Sequence, residues 1–182
     1  MFWFYVCMNI QNQKNSVNFT STPIHYVNLK KVTNGVEDGF IKAVFTKLNP
    51  NDLEGDCLAI EKIKETWKEN DMAEKFAGIF KFFKSDLNFY NALELVGNNN
   101  LDERIVSLVK SSIEGGRTLK LSILLSKPEL SRENIQRPIK NVGELMLGEI
   151  FNKAKQLQVS RLEFESAEDA FYIHVLTRLG LS

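Results

Sequence analysis

Several features that often define a function are scarce in this chain of 182 residues. It has two cysteines, Cys7 and Cys57, which make no disulfide framework and lack the spacing of a metal site. Lys plus Arg equals Asp plus Glu at 23 each, so there is no basic field of the kind that binds nucleic acid or an anionic membrane. These absences predict a cytoplasmic protein with reduced thiols, no metal, no nucleic-acid partner and no membrane association.

Long apolar runs are absent as well. The apolar stretch Met1–Met8 has no basic residues before it and no small-residue cleavage site, and it is too short to span a bilayer. Two interpretations of it stay open: an extra edge strand, or residues upstream of a true start at Met8. The chain also has no P-loop, no dinucleotide-binding glycine pattern and no serine nucleophile elbow.

What is present is a composition typical of one globular domain, with 43% hydrophobic and 25% charged residues. Residues from about 9 to 38 are mostly polar, and residues 1–38 are predicted to form an N-terminal arm with an extra strand near Ile24 to Leu29. Residues 39–182 form the predicted domain, in which helical and strand-like apolar spacings alternate. The predicted elements are a strand Phe40–Leu48, a helix Asp52–Asn70, a helix with Phe76, Ile79, Phe80 and Phe83 on one face, strands Phe89–Val96, Arg104–Ile113 and Thr118–Ser126, a helix Gly143–Leu157, a strand Val159–Phe164 and a helix Ala167–Leu179.

This order predicts an α+β fold. The three strands in the middle are separated by turn residues and form an antiparallel meander, whereas the strand–helix–strand unit near the C-terminus implies one parallel, right-handed crossover. In the strand Thr118–Ser126 the alternation places Leu119, Leu121, Ile123 and Leu125 on one face. The phenylalanines Phe76, Phe80, Phe82 and Phe83 are interpreted as core residues.

The segment that speaks most directly to function lies at the start of the helix after this meander. Lys140 and Gly143 stand there, between a strand and an amphipathic helix. The first-turn N–H groups of a helix lack intrahelical partners and the helix dipole is positive at that end, so an anionic ligand can bind there. The predicted phosphate-binding residues are Lys140, Asn141, Val142, Gly143, Glu144 and Leu145.

With these residues in view, the chain resembles the GNAT superfamily of acyl-CoA-dependent N-acetyltransferases over about residues 40–181. The signature of that family is Arg or Gln, two residues, Gly, one residue, then Gly or Ala; this chain has Lys140, Gly143 and Leu145. Lys140 keeps the charge without the planar fork of Arg, and Leu145 is bulky where the family has a small residue. The ending Ala170-Phe171-Tyr172 with Leu179-Gly180-Leu181 is also similar, although Leu176 holds the family's usual tyrosine position.

The resemblance implies a mixed, mostly antiparallel sheet flanked by helices, and residues 39–182 as a GNAT-like acetyltransferase domain. It implies acetyl-CoA as co-substrate and direct acetyl transfer to a primary amine, which belongs to a small molecule or to a protein; a homodimer stays open. The thioester carbonyl is expected to meet a backbone N–H near the end of the fourth family strand, at Leu125, Ser126 and Lys127. Tyr172 is the expected proton donor to the departing thiolate.

The general base is left with several candidates, because the strand Thr118–Ser126 has no carboxylate. Glu165 with Ser166 is the preferred pair, since these residues follow a strand beside the expected cleft. Glu94, Glu129 and Glu163 are the other carboxylates, and His25 and His174 are interpreted as structural. Two further hypotheses stay open: a GNAT-like module that binds a ligand or a protein without catalysis, and an unrelated α+β interaction domain.

Overall fold

A computed structural model describes residues 22–68, 70–97, 104–130 and 137–164. Within these residues one sheet contains seven strands, in the order β6-β1-β2-β3-β4-β5-β7. The strands are β1 (Thr22–Thr33), β2 (Val36–Lys47), β3 (Asn88–Leu95), β4 (Ile105–Glu114), β5 (Thr118–Ser126), β6 (Ile139–Lys140) and β7 (Arg161–Phe164). The helices are α1 (Asp56–Thr66), α2 (Asp71–Phe82) and α3 (Val142–Gln156), with a 3-10 turn at Pro128–Leu130.

All neighbouring strands are antiparallel except β5 and β7, which are parallel and are connected through α3. The predicted α+β architecture with one parallel crossover is therefore confirmed. Predicted residues 167–179 of the last helix lie outside the described residues.

The N-terminal hairpin is more extensive than the sequence pattern predicted. The expected strand near residues 24–29 is part of β1, which pairs with β2 along its whole length. Asn34 and Gly35 connect the two strands with φ values of 51° and 81°, as a tight turn with two left-handed residues requires. The predicted arm–domain division at residue 38 falls inside β2.

Side-chain hydrogen bonds before each of the two helices that precede β3 help to define where these helices begin. Asp52 accepts the backbone N–H groups of Gly55 and Asp56, so the chain turns there and α1 begins four residues later than predicted. Asn70 accepts the N–H of Met72 and caps α2, so α1 ends at Thr66 and not at Asn70. The predicted single helix over 52–70 is therefore shorter at both ends.

The sheet separates two apolar cores. On the α1–α2 face, the helices bring Trp67, Phe76 and Phe80 against Tyr90, and Phe76 and Phe80 contact the Tyr90 ring edge-on. The α3 face is built mainly from aliphatic residues and is closed by Met146, Leu147 and Ile150 of α3.

Two of the four predicted core phenylalanines lie elsewhere. Phe82 is 76% exposed and Phe83 is 59% exposed, whereas Phe76 and Phe80 are buried. The helix ends at Phe82, so its last residue and the one after it turn away from the sheet. The prediction of a core position was wrong for Phe82 and Phe83.

A β-bulge in β5 makes the alternation of its side chains differ from the predicted one. Lys110 of β4 pairs with Ile123 and the next residue, Ser111, pairs with Leu121, so Ser122 is the extra residue in β5. Leu119 and Leu121 consequently pack in the α3 core, and Ile123 and Leu125 pack in the α1–α2 core. The predicted single face for these four residues was wrong, because one inserted residue reverses the alternation beyond it.

Helix α3 crosses the sheet diagonally. It begins next to β6, which pairs with β1. Glu149 then reaches His25 of β1, and Lys153 reaches Phe89 of β3. After α3 ends, Ser160 donates its N–H to the carbonyl of Arg117, just before β5. The helix therefore spans the face from β1 to β5.

Candidate active site

One edge of β5 lacks a strand partner over part of its length among the described residues. Strand β7 pairs with β5 from Thr118–Arg161 to Leu121–Phe164, and β5 then continues to Ser126. Among the residues that the structure describes, the segment 122–126 has a strand partner on the β4 side alone. Such an edge presents N–H and C=O groups to a ligand that lies along it.

The hydrogen bonds at the end of β5 show which residue faces this edge. Lys127 donates its N–H to the Val106 carbonyl at 3.0 Å, and Ser107 Oγ donates to the Leu125 carbonyl at 2.7 Å. Both bonds are directed at β4. Because successive residues of a strand direct their backbone groups to opposite edges, the N–H and C=O of Ser126 face the open edge. Of the three predicted residues, Ser126 is the one in position to meet a ligand there.

A buried carboxylate lies at the same end of the sheet, on the α1–α2 face. Glu94 is 4% exposed; its Oε1 accepts a hydrogen bond from Thr46 Oγ1 at 2.7 Å, and its Oε2 lies 3.1 Å from Arg104 Nε. Glu94 pairs with Ile105, next to the Val106 carbonyl that Lys127 contacts. This carboxylate is therefore two strands from β5, at the level of the open edge.

The predicted phosphate-binding residues lie at the edge of the sheet that is far from β5. Lys140 belongs to β6, and its Nζ is 3.6 Å from Glu37 Oε1. A hydrogen bond from Lys30 and its charge, together with the charge of Lys140, hold the pKa of Glu37 below its usual value. In the order of the sheet β6 is five positions from β5, which is about 24 Å at the usual strand spacing. The structure does not bring the Lys140 segment and the end of β5 together.

The start of α3 nevertheless has the local geometry of a helix N-terminus. Asn141 has a φ of 66°, and its carbonyl accepts the N–H of Leu145. The side chain of Leu145 packs against the α3 core. Its bulk is therefore taken up by the core, on the side of the helix that faces the sheet.

The remaining predicted residues divide into two groups. Glu129 and Glu163 are paired with basic side chains, Glu129 with Lys127 at 2.7 Å and Glu163 with Arg161 at 3.0 Å. Glu165, Ser166 and Tyr172 lie outside the described residues, as do Leu176 and His174. Over the described ranges, no group of three His, Cys, Asp or Glu side chains has an arrangement that could hold a metal ion.

Sequence reasoning did not predict the interactions that His25 and Lys153 make on the α3 face. His25 Nε2 lies 2.7 Å from Glu149 Oε1, and the His25 ring packs beside Phe45. Lys153 lies with its Nζ 3.7 Å from the centroid of the Phe89 ring. The alternation of His25, Val27 and Leu29 was the available signal for an inward-facing histidine, whereas nothing in the sequence indicated the partner of Lys153.

Searches with the sequence find no matching family model and no matching curated protein. Solved structures do match. The ribosomal-protein-S18-alanine N-acetyltransferase from Escherichia coli is 14% identical, with a TM-score of 0.50 over 76% of each chain. A ribosomal-protein-alanine N-acetyltransferase from Brucella melitensis biovar Abortus 2308 is 12% identical, with a TM-score of 0.49 over 77% of this chain and 91% of the other. An aminoglycoside acetyltransferase from an uncultured soil metagenomic sample is 12% identical, with a TM-score of 0.46 over 75% of this chain and 86% of the other.

The match to the Escherichia coli enzyme shows a shared fold. This chain has the GNAT fold, a mixed and mostly antiparallel sheet with one parallel pair and with helices on both faces. The resemblance drawn from the sequence is confirmed at the level of the fold. No helix in the described ranges combines the length and the apolar character needed to cross a membrane.

Proposed function

We propose that this chain is an acyl-CoA-dependent N-acetyltransferase that transfers an acetyl group directly from acetyl-CoA to a primary amine. The observation that carries the proposal is that, among the residues the structure describes, β5 pairs with β7 up to Leu121 and Phe164 and the following residues 122–126 have a strand partner on the β4 side alone. A GNAT fold with such an edge can accommodate an extended thioester arm as an additional strand-like partner. The solved structures with similar folds include enzymes named for acetyl transfer to aminoglycosides and to ribosomal-protein alanine.

In this proposal the N–H of Ser126 donates a hydrogen bond to the thioester carbonyl of acetyl-CoA. Negative charge develops on that oxygen when the amine attacks, so a fixed donor stabilises the transition state more than the ground state. The amine loses a proton to the base, for which Glu165 with Ser166 is the preferred pair, and the thiolate of coenzyme A receives a proton from Tyr172. The acceptor is a small-molecule amine or a protein amine.

The sequence resemblance assigns the diphosphate of acetyl-CoA to Lys140, Asn141, Val142, Gly143, Glu144 and Leu145, and the thioester to Leu125, Ser126 and Lys127. Because β6 and β5 are five strand positions apart, about 24 Å, these two groups are separate parts of the proposal and each has its own test. The assignment rests on the N-terminus of α3 and on the positive charge of Lys140. The diphosphate has to compete with Glu37 for Lys140, since these two side chains lie 3.6 Å apart. Charge reversal at Lys140 is therefore the sharpest test of this part of the assignment.

The first experiment is a thermal-shift titration with acetyl-CoA, followed by turnover on a panel of amines. A ligand that binds only the folded state increases the free energy of unfolding, by about 2.7 kcal/mol at a hundredfold excess over Kd. The unfolding temperature rises as a result. We expect stabilisation that weakens in a Lys140→Glu, Gly143→Asp double variant and is unchanged in Lys68→Glu, a substitution far along the chain. Absence of any stabilisation at millimolar acetyl-CoA would contradict the proposal.

The role of Ser126 can be separated from its side chain. Ser126→Pro removes the N–H that faces the open edge, where no ladder bond is lost and proline is tolerated. We expect turnover to fall about 100-fold or more, with acetyl-CoA binding retained. Ser126→Ala keeps the N–H and should retain most of the activity; equal losses in both variants would remove the backbone donor from the mechanism.

The alternative is a GNAT-like module that binds a ligand or a protein partner without transferring an acetyl group. Two observations favour it: β5 has no carboxylate, and Lys140 already forms an ion pair with Glu37. Binding of acetyl-CoA with no release of coenzyme A across the amine panel is the outcome that this alternative predicts.

A further inference from the structure

A half-buried amine lies on the α3 face, away from the open edge of β5. The side chain of Lys153 points from α3 onto β3, where its Nζ is 3.7 Å from the centroid of the Phe89 ring and 3.5 Å from Asn91 Oδ1. Asn91 is buried and donates its Nδ2 to the Thr46 carbonyl at 3.1 Å, so its carbonyl oxygen is held towards α3. The amine is thus positioned by a ring face and one neutral acceptor.

The nearest helical carboxylate is engaged elsewhere. Glu149 precedes Lys153 by four residues, which is the favourable orientation for a helical ion pair. Its carboxylate instead lies 2.7 Å from His25 Nε2 of β1. Within the described ranges Lys153 takes part in no ion pair, and the charge that acts on it from β2 is that of another lysine, Lys47.

The Phe89 ring face and the Asn91 oxygen favour the ammonium form of Lys153, whereas its burial, the charge of Lys47 and the lack of an ion pair within the described residues favour the neutral amine. Burial, with a smaller contribution from the charge of Lys47, lowers the pKa of Lys153 to about 8. A primary amine attacks acyl groups only in its neutral form, so a larger fraction of Lys153 is nucleophilic near neutral pH than of an ordinary exposed lysine. Lys153 is of intermediate exposure, so part of its side chain is in contact with solvent.

We propose that Lys153 is a site of covalent acylation by small acyl thioesters. Its Nζ attacks the thioester carbonyl, an N–C amide bond forms and the C–S bond breaks. The thiol leaves with the electron pair of that bond and takes up the proton released by the nitrogen. The product is N-acyl-lysine at 153 with one free thiol. This acceptor is the chain itself, on the α3 face, and is independent of acetyl transfer at β5.

Acylation changes the environment that Lys153 occupies. The positive charge over the Phe89 ring is replaced by a neutral amide, and the repulsion from Lys47 disappears. The α3 face of the modified protein therefore has one buried charge fewer.

The test uses the full chain and the acetyl thioester of N-acetylcysteamine, a probe without the nucleotide part of coenzyme A. Peptide mass spectrometry follows acetylation of Lys153 and of Lys155, an exposed lysine on the same helix, at several pH values. At pH 7.5 the larger neutral fraction of Lys153 is partly offset by its lower basicity, and we expect it to react roughly tenfold faster than Lys155. Its rate should level off above about pH 8, while that of Lys155 keeps rising.

Three controls make the outcome decisive. Lys153→Arg should abolish the fast phase and Lys155→Arg should leave it intact. In strong denaturant the two lysines should react at the same rate, because the difference comes from the fold. Lys47→Gln should slow Lys153 at pH 7.5, since it removes a charge that favours the neutral amine. Equal rates for Lys153 and Lys155 in the folded protein, or a rate for Lys153 that rises without levelling up to pH 10, would overturn the proposal. The thioester probe reports on Lys153 whether or not the chain binds acetyl-CoA.

Discussion

The surroundings of a charged side chain differ between the two faces of the sheet, as buried Glu94 and half-buried Lys153 show. On the α1–α2 face the carboxylate of Glu94 has an arginine and a hydroxyl as partners. On the α3 face the ammonium of Lys153 has an aromatic ring and an amide oxygen, and its neighbouring carboxylate serves His25. A buried charge with matched partners contributes to the stability of its surroundings, whereas one without a counter-ion opposes folding.

The apolar packing is also more complete on the α1–α2 face than on the α3 face. The α1–α2 face is closed by an aromatic cluster around Tyr90, while the α3 face is mainly aliphatic and admits the half-buried polar groups His25, Glu149 and Lys153. We infer that the first face contributes more to stability per residue. The four predictions below test this difference, from the largest expected effect to the smallest.

Truncating the aromatic cluster should have the largest effect. Phe76 is fully buried between Phe80 and Tyr90, so Phe76→Ala removes a whole ring and leaves a cavity. We expect the free energy of unfolding to fall by about 3 to 5 kcal/mol in chemical denaturation. Phe82→Ala on the same helix is the control, because Phe82 is 76% exposed and its loss should change stability by about 0.5 kcal/mol or less.

Removing the charge of Glu94 should be destabilising. Glu94→Gln keeps the shape of the side chain and removes the negative charge that lies 3.1 Å from Arg104 Nε, which costs about 2 kcal/mol at this partly exposed pair. Glu129→Gln is the matched control, since the Lys127–Glu129 pair is half exposed on the carboxylate side and should contribute little. Equal effects of the two substitutions would show that the burial of Glu94 has no energetic consequence.

Removing the charge of Lys153 should have the opposite sign. The unfolded chain binds the lysine proton with a pKa near 10.4 and the folded chain with a pKa of about 8, so the unfolded state holds more protons between these values. The wild type therefore gains stability as pH rises through this window. Lys153→Met should be more stable than the wild type by about 1 kcal/mol at pH 7, after allowance for solvent screening and the lost ring contact.

The advantage of Lys153→Met should shrink as pH rises from 8 to above 10.5, which paired denaturation curves at several pH values can measure. Lys155→Met, with an exposed side chain, should show no such trend. If Lys153→Met is less stable than the wild type at pH 7, the contacts of Lys153 with the Phe89 ring and the Asn91 oxygen fully offset the cost of burying its charge.

The smallest effect concerns the hydroxyl of Tyr90, which donates to the carbonyls of Phe83 and Ile79 at 2.8 and 3.3 Å. Tyr90→Phe should cost about 1 kcal/mol and keep the ring packing. Burial raises the pKa of Tyr90 to about 12, so the folded wild type holds this proton more tightly than the unfolded chain and loses stability between about pH 10 and pH 12. Tyr90→Phe should lack that decline, in contrast to the rise that Lys153 produces at lower pH.

Much of the fold could be predicted from local patterns. The meander, the helix after it and the final described strand follow from apolar periodicity and from glycines at turns, and each lies within a few residues of its predicted bounds. The N-terminal hairpin was missed although the dipeptide Asn34–Gly35 is a strong signal for a two-residue turn. The polar side chains around this turn hid the alternation of β1, since one face of this strand is exposed.

The candidate site was less accessible to sequence reasoning. The end of β5 could be located from the family resemblance, but which backbone group faces the opening depends on hydrogen bonds to β4. The position of the Lys140 segment depends on a two-residue strand that pairs with β1, a long-range contact with no local signal. The roles of Glu165, Ser166 and Tyr172 remain predictions, which substitutions at these positions can test in binding and turnover assays.

By itself the sequence determined the meander, the helices on either side of it and the single parallel crossover, because periodicity, capping and turn residues act over a few neighbouring positions. Only the tertiary structure decided that a bulge at Ser122 reverses the alternation of β5, that the N–H of Ser126 faces away from β4, and that Glu149 binds His25 and leaves Lys153 to Phe89. These features depend on register and on contacts between residues far apart in the chain, where one inserted residue or one alternative partner changes the face that a side chain occupies.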